Sequence, residues 1–389
     1  MGAMVRARGR SLAPRGILPA MPHALIRLAL VTAALVLAAP ANPPQSVPLH
    51  APVRVCAGGD VTLGTNLDPS WARRAADSLR TTWGLSSEPD SLVAALRPLF
   101  ADADIGLVNV EGAIGSGPAP QKCRRTSSTC YAFRMPPAAA GAIRRIVGAS
   151  AAMVGNTANN HSHDAGDAGR AATIAALTRA GVAVTGADTL ATIVVTAAGD
   201  TIAVLGFHTD KITPDARDLV ALRRHVSRAV SEYRTVIVTM HLGAEGATAQ
   251  RTRNRTEMFL GENRGNPVAF ANAALAAGAT LVIGHGPHVL RAAEWRGGQM
   301  VFYSLGNLVT YGPFNVREPM NRGVVACAVI EAPGRVVSAE LRPTMQLAAG
   351  RVLPDSDKRA IALIDSLSAL DFPKTGVRVG ADGAVTRRQ

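Results

Sequence analysis

Residues 153–166 read "MVGNTANNHSHDAG". An apolar start runs into three Asn, two His and an Asp within eleven residues. Asn suits left-handed turn backbone, so the run reads first as a strand delivering a polar loop. A second reading makes the same residues the floor of a metal site. Outward from this point the chain alternates short β-rich runs with Ala-rich helical stretches, the pattern of an α/β fold. Upstream lie the strands "VRVCAGGDVTLG" (53–64) and "DIGLVNVEGAI" (104–114) and the helices of 90–103 and 136–149. Downstream come helices over 168–181, 213–233, 266–278 and 355–367. Between them "TIAVLGF" (201–207), "TVIVTMHLGAEG" (235–246), "ATLVIGHGPHVL" (279–290), "QMVFYSLGNLV" (299–309) and "GVVACAVIEA" (323–332) read as strands.

Five of these strands end in polar clusters: Asp60, Glu111, Asn160 with His161, His241, and His285 with His288. In α/β sheets, ligands collect beyond the carboxyl ends of strands. Each piece alone has a bland reading: a structural histidine, a turn carboxylate, a capping Asp. Together those readings need five coincidences. Mixed imidazole and carboxylate donors suit Zn, Mn or Fe, whereas Ca takes oxygen alone. The absence of Cys from the set fits a hydrolytic centre better than a structural zinc.

The 389 residues are enough for one large or two ordinary domains. Residues 1–42 read as a secretory signal and upstream segment: an arginine-bearing region, an apolar core, and a small-x-small end at Ala39-Pro40-Ala41. Met21 offers an alternative start, and an uncleaved anchor is the competing reading. Export, to the periplasm or outside the cell, follows from either. The formal charge is +13, and Arg6, Arg8, Arg10, Arg15 and Arg27 belong to the first 41 residues, which leaves about +8 beyond them. Basic residues with no aromatic interleaving exclude nucleic acid as the expected partner and suit an anionic polymer. Cys123 and Cys130 bracket a polar loop, and in an exported chain this spacing favours a local disulfide. Cys56 and Cys327 sit in apolar runs and read as buried thiols.

The blocks "GGDVTLG", "DIGLVNVEGAI", "GNTANNHSHDAG", "MHLGAEG", "VIGHGPHVL" and "VFYSLGNLV" resemble, in order and spacing, the bacterial capsule-synthesis CapA family, also called the poly-γ-glutamate capsule (PGA_cap) family. That family is similar to calcineurin-like metallophosphoesterases. The resemblance implies a four-layer α/β/β/α sandwich over residues 51–342, with residues 343–389 as a small C-terminal extension packed on it. It implies two divalent transition metal ions (Mn, Zn or Fe) held by Asp60, Glu111, Asn160, His241, His285 and His288. His161 takes the place of the residue that meets substrate or protonates a leaving group, with Asp164 orienting it. Asn109 stands beside the bridging carboxylate. His163 falls where the family has an apolar residue and reads as loop. The related phosphoesterases open with Asp-x-His, but here Thr62 follows Asp60-Val61. The substrate so implied is a phosphoester or an anionic polymer, with capsule-synthesis membrane proteins as partners. The alternatives are a polyglutamate synthesis or export accessory without phosphoesterase activity, and a non-catalytic binding domain.

Overall fold

In a computed structural model, residues 51–65, 69–117, 122–123, 130–347 and 350–388 are described. Expectations for residues 1–42 lie outside them.

Two sheets form the body. In the first, Val53–Thr62, Ile105–Val110, Ala152–Asn156 and Val182–Thr185 run parallel side by side. Arg322–Glu331 and Arg335–Gln346 extend it antiparallel on the other side of Val53–Thr62. In the second, Thr201–His208, Val236–His241, Leu281–His285 and Gln299–Phe302 are parallel, with Thr192–Val195 and Ala293–Arg296 as antiparallel edges.

The period of two in a strand sorts its side chains. Val55 and Ala57 enter the core between the sheets, together with Leu107, Val204, Ile237 and Ile283. Cys56 between them faces outward, into a core shared with Leu79, Phe100, Ile143 and Leu177 of the helices on that side. A third core joins the outer face of the second sheet to helices Leu219–Glu232 and Pro267–Ala276 through Leu222, Val226 and Phe270. Three cores between four layers make the chain an α/β/β/α sandwich. Truncating any of these buried aliphatics to Ala would cost roughly 2–5 kcal/mol.

Local chemistry sets the ends of the helices. Asp218 caps Leu219–Glu232 by accepting from the amides of Val220 and Ala221, so the helix starts later than residue 213. Pro98 removes a donor, and the stretch expected as one helix over 90–103 becomes α-helix Pro89–Val93 followed by a 3-10 turn, Ala94–Phe100. The helix Pro69–Trp83 and the strands Val182–Thr185 and Thr192–Val195 lie in stretches to which the sequence reading assigned no element.

Two expectations are corrected. "QMVFYSLGNLV" is not one strand: Gln299–Phe302 belongs to the second sheet, while Asn307–Thr310 pairs with Val53–Thr62 in the first. The chain crosses between sheets at residues 303–306. The crossing explains two glycines of the motifs, because a Cβ on Gly59 would lie 1.8 Å from the Gly306 carbonyl and one on Gly284 would lie 2.2 Å from that of Tyr303. Cys56 and Cys327 are not thiols: they face each other across adjacent antiparallel strands and form a disulfide. Cys123 and Cys130 are also disulfide-bonded, as their spacing suggests.

Residues beyond 342 hold the end of strand Arg335–Gln346, the helix Arg359–Asp371 and the strands Val352–Pro354, Val377–Val379 and Ala384–Arg387, all joined to the first sheet or its core. Among the described residues, no helix is long and apolar enough to cross a membrane.

Candidate metal centre

Register brings the polar residues together. Across the first sheet Asn307, Asp60, Asn109 and Asn156 are direct neighbours on four adjacent strands. Across the second, His208, His241 and His285 are neighbours on three. The two rows meet: the Asn109 amide nitrogen donates to Asp60 Oδ1 at 2.8 Å and lies 3.2 Å from His241 Nδ1. Its oxygen accepts from Asn156 and Asn159, each at 3.0 Å, which fixes the direction of the amide.

Glu111 follows its strand directly. Its backbone is locked by Glu111 N–H to Val61 O and by Thr62 Oγ1 donating to Glu111 O. Thr62 is thus a buried structural hydroxyl. Glu111 Oε1 stands 3.9 Å from both His161 Nε2 and His241 Nε2, and 3.5 Å from His288 Nε2. His288 Nδ1 is 3.0 Å from Asp60 Oδ2, and His285 Nδ1 is 3.9 Å from Asp60 Oδ1. Asp60, Glu111 and His288 each offer a donor atom within 4.8 Å of the others. The rigid "HGPH" turn places His288 at φ 58°, a left-handed backbone uncommon for a non-glycine residue.

A buried polar atom without a partner costs about 1–3 kcal/mol. Among the described residues, both Glu111 oxygens, Asn160 Oδ1, His241 Nε2 and both nitrogens of His285 are buried without a hydrogen bond. Asp60, Glu111 and His288 offer the donors that lie close together, and the mixed carboxylate, amide and imidazole chemistry of the unbonded atoms fits a divalent cation. Electrostatics agree. Burial pushes the Glu111 carboxyl well above its ordinary value. Burial works against the charged form of His288 too, but the charges of Glu111 and Asp60 outweigh it and hold the imidazole well above its ordinary range. Burial opposes ionisation of Asp60, yet the His288 hydrogen bond and charge keep that carboxyl below its usual value. Burial lowers His285 to about 4 and holds His241 well below its ordinary value.

Beside the cluster stands a fully bonded arm. His161 Nδ1 is 2.7 Å from Asp164 Oδ2, which also accepts from the Phe133 amide at 2.6 Å. Asp164 Oδ1 accepts from Lys122 Nζ at 2.7 Å. The Phe133 ring covers the imidazole at a centroid distance of 4.2 Å. Burial lowers the pKa of His161, and the Asp164 charge pulls the other way. His163 sits apart, with Asp167 at 3.6 Å.

The sequence reading missed Asn156, Asn159, His208, Glu245 and Arg264. His208 was findable: it is the residue after "TIAVLGF" and ends a sixth strand. His208 Nδ1 lies 2.8 Å from the His241 carbonyl. A cavity of about 560 Å³ adjoins the cluster, lined by Lys122, Tyr131, His161, His208, Phe259 and Arg264 among others.

The architecture and the cluster define a two-sheet α/β sandwich with a candidate metal pocket where the carboxyl ends of both sheets meet. The family described as "Bacterial capsule synthesis protein PGA_cap" matches residues 54–311, more than half of the chain, and the chain belongs to that family. No curated protein matches. Among solved structures the chain is similar to the NAD nucleotidase NadN of Haemophilus influenzae, at 10% identity and a TM-score of 0.39, over 82% of this chain and 56% of that one. It is similar to a 5'-nucleotidase precursor from Thermus thermophilus at 13% identity and 0.38, over 83% and 60%. It is also similar to GAP50, the anchor in the inner membrane complex of Plasmodium, at 8% and 0.30, over 80% and 95%. The chain thus spans little more than half the length of the first two, and all three likenesses are distant.

Proposed function

We propose that the chain is an exported metal-dependent hydrolase of the phosphoesterase type that acts on a phosphoester of the capsule or cell envelope. The observation that carries this reading is the group of buried donors at Glu111, Asn160, His241 and His285 that have no hydrogen bond among the described residues. Asp60, Glu111, Asn160, His241, His285 and His288 would hold two divalent ions, Mn, Zn or Fe. Such ions, when bound, supply Lewis-acid charge at phosphorus and make water a stronger acid. The chain's own residues do the rest. Asp164 accepts the Nδ1 proton of His161 and fixes its tautomer. Nε2, facing Glu111, then moves a proton at the leaving-group oxygen. A pKa lowered by burial makes the imidazolium a ready donor there.

The test is direct. Protein loaded with Mn(II) or Zn(II) is assayed on p-nitrophenyl phosphate and its bis ester. Cleavage lost to chelator and restored by metal is the expected result. If folded, metal-loaded protein cleaves neither ester while His161→Ala still disturbs the envelope polymer, phosphate hydrolysis is the wrong chemistry.

A second reading has the site grip an anionic polymer, polyglutamate included, without phosphate cleavage, alongside capsule-synthesis membrane proteins. The excess of 41 basic over 28 acidic residues favours it. Polymer binding that requires metal, with no esterase activity, would select it.

A further inference from the structure

Asn160 can offer either end of its amide, and only the oxygen can hold a cation. Its Oδ1 is buried and has no hydrogen-bond partner among the described residues. Its Nδ2 lies 3.4 Å from Glu245 Oε1. A carboxylate only accepts, so Glu245 fixes the NH2 end toward itself and turns the oxygen away. Glu245 is itself held. Arg264, buried beneath the cavity, sets a guanidinium nitrogen 2.7 Å from the same Oε1. The loop that carries Glu245 is pinned by a second pair: Arg291 meets both oxygens of Glu257 at 2.9 and 2.7 Å and donates to the Ala249 carbonyl at 2.7 Å. Glu257 Oε2 also accepts from the Ala244 amide at 2.8 Å. The Gly243 amide donates to the Arg264 carbonyl, and Arg264 N–H to that of Glu257, so both ion pairs share one backbone frame.

We infer that Glu245, seated by Arg264, is a positioning residue that orients the Asn160 amide so that Oδ1, not Nδ2, is presented to the metal site. This rests on the proposal that Asn160 is a ligand. Outer partners of metal ligands are typically worth ten- to a hundredfold in affinity. Glu245 does this by choosing which end of one amide faces inward.

The experiment is Mn(II) binding by the full chain, read by titration calorimetry and by the EPR signal of free Mn(II), in a cycle of four proteins. Glu245→Gln should weaken Mn(II) binding by about ten- to a hundredfold, because the new amide no longer dictates which end of Asn160 points inward. Asn160→Asp has oxygen at both ends, so orientation no longer matters. In that background Glu245→Gln should leave affinity unchanged or raise it, since a neighbouring like charge is removed. A loop-holding role would weaken both backgrounds alike, and that result overturns the inference. Binding by Glu245→Gln equal to wild type overturns it too. Tight binding by the double variant shows that the substitution folds. If Asn160→Ala binds Mn(II) as tightly as wild type, the ligand role itself fails and the inference falls with it. If Asn160→Ala is weak while Glu245→Gln is not, only the positioning role fails.

Discussion

The central cluster and the His161 arm lie side by side, yet they treat polar atoms in opposite ways. In the arm, both Asp164 oxygens are bonded, to Lys122 on one side and to Phe133 N–H and His161 on the other. In the cluster, both Glu111 oxygens and both His285 nitrogens are buried with no hydrogen bond among the described residues. A saturated carboxylate holds a ring in place. An unsaturated set of donors calls for a cation. The contrast separates two roles that residue types alone leave merged, since both regions are made of His and acid.

The comparison breaks most sharply at Glu111. Glu111→Ala should abolish retained metal, measured as metal per chain after dialysis against Mn(II) and a weak chelator. Asp164→Asn should leave that ratio unchanged. Equal metal loss in both variants would erase the distinction between cluster and arm. The arm breaks next. His161→Gln and Asp164→Asn should lower turnover of an aryl phosphate by about a hundred- to ten-thousandfold at unchanged metal content. A loss expressed in KM alone would make the arm a binding feature.

Much of this was legible in the sequence because a strand ends at a definite residue and register does the rest. His241 and His285 close strands of similar length, and parallel pairing sets them side by side. On the other sheet Asp60 pairs with Asn109, and Glu111 follows directly after the strand that carries Asn109. What was not legible depends on contacts between distant segments. Nothing in "SLGNL" (304–308) says that the chain changes sheets there; the close approach of Gly306 to Gly59 does. Glu245 and Arg264 lie on loops whose course is set by the buried Arg291–Glu257 pair, 34 residues apart in the chain. Cys56 and Cys327 are 271 residues apart, and only the antiparallel register shows them to be partners.

The two disulfides carry the comparison from chemistry to stability. Cys56–Cys327 is fully buried in the sheet that carries Asp60, whereas Cys123–Cys130 is half-buried beside the arm. Mild dithiol reductant should open Cys123–Cys130 and leave Cys56–Cys327 closed, as read by alkylation and mass spectrometry. Replacing Cys56 and Cys327 by Ala should lower unfolding stability by about 5 kcal/mol, because the bridge closes a very long loop. Removing the short-loop pair should cost less. Opening of the buried bridge first would contradict the packing of the sheet.

The smallest effect separates the imidazoles of the second sheet from the carboxylates of the first. Burial lowers both His208 and His285 from 6.5 to about 4. Each is neutral in the folded chain and binds a proton more readily when unfolded. Unfolding therefore takes up protons between those values, and the stability of the metal-free protein should fall as pH drops from about 6.5 toward 4. Each group accounts for roughly 3 kcal/mol across that window. His288, held above its ordinary value by Glu111 and Asp60, acts in the opposite sense: its stabilising charge is present below 6.5 and is lost as pH rises through its raised folded value. His208→Gln separates the two, because His208 bonds the His241 carbonyl and has no carboxylate of the cluster beside it. Chemical denaturation at pH 5 and pH 7 should show a smaller pH difference for His208→Gln than for wild type. An unchanged difference would mean that His208 titrates alike in both states, and that the histidine row is wetter than its burial implies.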